Sequence, residues 1–153
     1  MNVEIIKKET FAVIGKQGST DDGKDFIKDL WKEANEHFLE VESLAKKDEE
    51  GKVAGIWGVM SDFSLSFKPW KDFKKGLYLA GIECEEDKEA PKGWVKWIVP
   101  GFEYICIENE NKDSFKNGIK YLKDNNYNLV GAVHDYYDSQ TNKNYIYYPI
   151  KKL

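Results

Sequence analysis

The chain has 153 residues, 41% hydrophobic and 33% charged, which fits one globular domain and excludes a disordered or fibrous protein. The formal charge of −4, with 23 basic residues that are all lysine, argues against a nucleic-acid surface and leaves no arginine for bidentate phosphate recognition. No apolar run approaches the ~20 residues that cross a bilayer. The opening Met1 to Lys8 lacks the charged-then-apolar order of a secretory signal, so the expected location is the cytoplasm.

Phe11 to Gly15 predicts a strand ending at a glycine, and Thr20 to Lys24 a turn. From Asp25 the apolar residues Phe26, Ile27, Leu30, Trp31, Ala34, Phe38, Val41 and Leu44 follow three-and-four spacing, which predicts an amphipathic helix of about five turns. Two strands follow, Val53 to Ser61 and Gly76 to Glu83, joined by a loop carrying Phe67, Pro69, Trp70 and Phe73. Glu85 to Lys92 reads as an acidic linker before the tryptophan-rich stretch Trp94 to Val99. After Pro100-Gly101 come a strand from Phe102 to Glu108 and a helix from near Asp113 to Asn125-Asn126. Strands from Leu129 to Asp138 and Asn144 to Ile150 close the chain.

The order is strand, helix, strand, strand, then the same again. That predicts an α+β fold: a duplicated strand-helix-strand-strand unit with two helices on one face of an antiparallel sheet. The expected single domain spans 1–153, with pseudo-repeats at about 1–85 and 93–153. Gly55 and Asp62 in one half match the spacing of Gly131 and Asp138 in the other, and Tyr78 matches Tyr145 as the opener of a last strand.

Cys84 and Cys106 lie in apolar runs and read as buried free thiols. His37 and His134 are too isolated for a zinc site, so neither a metal nor another cofactor is expected. The 14% aromatic content offers walls for planar or cationic ligands. Strand periodicity puts Val133, Asp135 and Tyr137 on one face and His134 and Tyr136 on the other, while Tyr145 and Tyr147 share a face. Trp57 and Tyr147 are equally readable as core, Trp31 as core, and Glu83 as a solvated strand end.

Three patches carry a resemblance: Asp135-Tyr136-Tyr137 with Tyr145 to Ile150, the turn Ile98 to Tyr104, and Gly55 to Val59 with Tyr78 to Glu83. Together with the doubled unit they make the chain similar to the GyrI-like, or AraC-type, effector-binding domains. Its likeness is to free-standing members such as the integron-associated ones. The resemblance implies an aromatic pocket with a buried acid that meets positive charge on flat, lipophilic ligands. That acid falls at Asp135, where the family usually has glutamate, and a second acidic position of the family is Tyr145 here.

The leading expectation is a small-molecule binding protein, a sensor or sequestering domain in transcription regulation or drug response, without direct nucleic-acid or membrane binding. Asp135 would be the counter-charge, with Trp57, Tyr78, Trp97, Tyr104, Tyr137, Tyr145 and Tyr147 as walls, and a separate DNA-binding regulator as partner. One alternative is a hydrolase of strained cyclopropanoid natural products, with Asp135 and Tyr137 as its working pair. The other is a protein-interaction inhibitor of the gyrase-inhibiting kind.

Overall fold

A computed structural model describes residues 2–153. Among these, eight strands form one antiparallel sheet and two α-helices cover one of its faces. In chain order they are β1 (Val3–Lys8), β2 (Phe11–Ser19), α1 (Phe26–Glu36), β3 (Ile56–Ser61), β4 (Leu77–Cys84), β5 (Val95–Val99), β6 (Phe102–Glu108), α2 (Ser114–Asp124), β7 (His134–Asp138) and β8 (Lys143–Lys152). The sheet order is β1-β6-β8-β7-β3-β4-β2-β5. This is the expected α+β class with both helices on one face.

The register shows why the helices share a side. Ala80, Gly58, Asp135, Ile146 and Ile107 lie in one row across β4, β3, β7, β8 and β6. On that face α1 packs Phe26 and Ala34 against Ala12, Ile14, Tyr78 and Ala80. Also on it, α2 packs Leu122 against Ile105, Ile107, Ile146 and Tyr148. The next row, Gly81, Trp57, Tyr136 and Tyr145, points the other way. That reverse face carries its own core of Phe11, Val13, Val59, Leu79, Val99, Phe102, Tyr104 and Tyr147.

Each half begins with a strand that pairs with the other half. β1 leads into β2 yet pairs with β6, and β5 leads into β6 yet pairs with β2. The two connecting links pass within contact: a Cβ on Gly101 would lie 3.2 Å from Thr10 N and 3.3 Å from Lys8 O. Only a residue without a side chain fits that crossing comfortably.

The expected five-turn helix stops at Glu36. His37 caps it, and two short 3-10 turns, Phe38–Glu40 and Glu42–Leu44, follow. The break lets Val41 turn fully inward while Leu39 stays exposed, and Glu40 accepts a hydrogen bond from Trp94 Nε1 at 3.0 Å. Sequence reading placed no strand at Val3–Lys8, read the tryptophan-rich segment only as a stretch, and began the strand of β7 five residues early. Asp62 and Asp138 play like parts, each accepting a backbone hydrogen bond at 2.9 Å in the turn that follows its strand. Tyr78 and Tyr145, by contrast, face opposite sides of the sheet.

Candidate functional site

Between the helices, the floor of the sheet is formed by the central strands β3 and β7. At their Gly58–Asp135 pair it dips into a cleft of about 430 Å³. Trp31 and Asn35 of α1 form one wall; Ile56, Gly58, Tyr78, Asp135 and Tyr137 form the floor; Asn109, Asn144 and Tyr145 stand at the rim. Gly58 is what admits the tyrosine. A Cβ there would meet the Tyr78 hydroxyl at 1.8 Å, so no larger residue is compatible with this ring position.

Tyr78 is 1% exposed and its hydroxyl is fully engaged. It donates to Asp135 Oδ2 at 3.0 Å and accepts from Trp31 Nε1 at 3.1 Å. Burial pushes the Asp135 carboxyl up to about 6, against a smaller downward pull from the Tyr78 hydrogen bond. Burial, the charge of Asp135 and the hydrogen bond it accepts hold Tyr78 in its neutral form. Among the described residues no lysine forms an ion pair with Asp135. The cleft therefore holds a desolvated carboxyl, one tyrosine donor and no protein cation. Such a site binds a cation with the acid ionised, or a neutral molecule with the acid protonated.

The structure brings Asp135, Tyr78 and Tyr137 together, with the Tyr137 hydroxyl donating to Asn142 Oδ1 at 2.6 Å beside the opening. Tyr145 reaches the rim while packing against the reverse-face core. Trp57, Trp97, Tyr104 and Tyr147 do not join them, because strand alternation points all four into that reverse core. There Trp97 donates its indole N–H to Gln17 Oε1 at 2.8 Å. Trp31, read as core, packs against the helix-side core and is also a wall of the cleft.

Glu83 also departs from expectation. It is 7% exposed, pairs with Lys8 at 3.1 Å and Lys46 at 3.4 Å, and accepts the Trp57 indole N–H at 3.0 Å. Its apolar neighbours Ile82 and Cys84, and Leu79 on its own face, were the available sign that it would be buried. His134 is fully buried on the reverse side, where its Nδ1 accepts from Met60 N at 3.1 Å.

An antiparallel sheet with two helices on one face and an acid-floored aromatic cleft between them defines a small-molecule-binding domain. The chain belongs to the GyrI-like family, the GyrI-like small molecule binding domain, whose family model matches residues 1–151. Among solved structures it is similar to SAV2435 bound to tetraphenylphosphonium, at 15% identity and a TM-score of 0.66, covering 99% of this chain and 94% of that one. It is similar also to the EcmrR C-terminal domain, at 13% identity and a TM-score of 0.67, covering 99% and 98%. A third likeness is to the integron cassette protein VCH_CASS2 of Vibrio cholerae, at 17% identity and a TM-score of 0.62, covering 99% and 97%. At these identities the likeness establishes the fold. No curated protein matches the chain by sequence.

Proposed function

We propose that the protein binds flat, lipophilic organic cations over Asp135 and acts as a cytoplasmic sensor or sequestering protein, any DNA contact being made by a separate regulator. The observation that carries this reading is a desolvated, partly buried carboxyl at the base of an aromatic cleft with no cation of its own. A bound cation would supply the missing counter-charge in a place water screens poorly. The faces of Trp31 and Tyr137 would add cation–π attraction of ~0.5–2 kcal/mol each. SAV2435, similar in fold, was solved with tetraphenylphosphonium, a lipophilic cation, which supports the ligand class.

Binding of a permanent cation requires Asp135 ionised, so a ligand displaces a proton only below about pH 6, where burial keeps one on the carboxyl. Tyr78, donating to Oδ2, fixes the carboxyl plane and leaves Oδ1 to the ligand. The test is a fluorescence titration with a planar cationic dye and a neutral dye of like shape, the quenching of Trp31 reporting occupancy of the cleft. Asp135→Asn is expected to weaken the cation at least tenfold and leave the neutral dye unchanged. Equal loss of both, or no loss, removes Asp135 as the counter-charge.

A further inference from the structure

A second cavity, of about 200 Å³, opens on the same face of the sheet, one step along the same two strands. Its floor is Met60, two residues beyond Gly58, and Val133, two before Asp135, so the floors of the two cavities lie about 7 Å apart. Tyr78, the register partner of Met60, reaches diagonally over Gly58 and forms the divide between them. Pro69, Trp70 and Phe73, from the loop between β3 and β4, make one wall, and Phe115 of α2 the other. The rings of Phe73 and Phe115 meet edge to face at 5.4 Å.

This lining carries no charge. Its one polar side-chain atom, Trp70 Nε1, already donates to Leu77 O at 2.9 Å. Nothing here is free to recognise a polar group, whereas the neighbouring cleft is organised around one unpaired acid. Phe73, 46% exposed, leaves an apolar ring that a hydrocarbon would cover.

We infer that the two cavities form a single site for an amphiphilic cation, with the charged head over Asp135 and an alkyl or arylalkyl tail crossing Tyr78 into the space floored by Met60 and Val133. This rests on the reading of Asp135 as counter-charge and keeps its lipophilic cation, but replaces the flat shape by an elongated, one-headed one.

The experiment is calorimetric titration with n-alkyltrimethylammonium ions from butyl to dodecyl, below their micelle concentrations, with n-alkanols in parallel. Affinity is expected to rise about three- to fourfold per methylene once the chain passes the divide, then level off as the cavity fills. Val133→Trp, which fills the cavity, is expected to abolish the rise while leaving the butyl compound unchanged. Phe73→Ala, a surface change that keeps the fold, is expected to make the rise shallower. A rise that neither substitution alters overturns the assignment of the tail. Absence of a rise while Asp135→Asn still weakens every cation overturns the tail cavity alone. A rise that Asp135→Asn leaves intact, with no loss for any cation, overturns the charge reading and with it the single-site proposal.

Discussion

The two faces of the central strands use the same residue types to opposite ends. On the reverse face Trp57 is 2% exposed, with ring centroids 4.5 Å from Tyr136, 4.9 Å from Phe11 and 5.0 Å from Tyr147. One position away Gly58 faces the helices, where the space above it takes the end of the Tyr78 ring and, beside it, a cleft with a carboxyl at its base. Aromatic richness therefore does not mark the pocket. What marks it is a small residue beside an acid, under helices held apart by their own packing on separate strands. Two acids near the sheet interior differ in the same sense: Glu83 is buried, Asp135 partly so at the cleft. Glu83 is paired with two lysines, while Asp135 meets only a tyrosine.

The largest expected effect falls on the closed face. Trp57→Ala should lower stability by about 3–5 kcal/mol through lost contacts and an unfilled cavity. Urea unfolding measures it, and cation affinity of the remaining folded protein should hold. Loss of affinity without loss of stability would mean that the two faces are not separate in function.

Next in size is Asp135→Asn, which should stabilise the free protein. The folded-state value of about 6 lies above the unfolded value near 4, so the folded acid holds its proton where the unfolded one has lost it. Stability from this group is then complete below pH ~4 and lost as pH rises through about 6, to a total of about 3 kcal/mol. The variant and the parent should unfold alike at pH ~4, and the variant should be the more stable at pH ~7. The same titration should weaken a permanent cation tenfold per unit of pH below about 6, a slope that Asp135→Asn flattens.

The smallest effect belongs to Tyr78→Phe. Removing the hydroxyl takes a hydrogen bond from Asp135 and an acceptor from Trp31, at ~1 kcal/mol each. Because that bond holds the carboxyl down, the midpoint of the binding–pH profile should move upward. A midpoint that stays in place would show that Asp135 takes its partner from elsewhere.

Most of the fold was legible where periodicity is local. The bounds Phe102–Glu108 came directly from an apolar run after Pro100-Gly101, and alternation alone put Asp135 and Tyr137 on one face. What escaped depended on distant partners. Val3–Lys8 has a broken alternation, and it is a strand because β6 lies beside it. The helix ends at Glu36 because Val41 and Glu40 have tertiary partners, without any glycine or proline to announce it. The site was half legible for one reason: alternation sorts residues within a strand, but not which side of Tyr145 and Tyr147 faces the same way as Asp135. That needs the register of β7 against β8. Trp31 gave a weaker sign: an indole on a buried helix face must find an acceptor, and here that acceptor is the hydroxyl that also holds the acid.

The exchanged first strands, β1 on β6 and β5 on β2, have a kinetic consequence. Val3 must find Ile107, about a hundred residues away along the chain, to complete one edge of the sheet, and Phe11 must find Val99 to complete the other. Neither half can finish its own sheet as it leaves the ribosome, since each waits for a strand the other owns. Folding is thereby tied to pairing across the whole chain, which long sequence separation makes slow for a domain of this size.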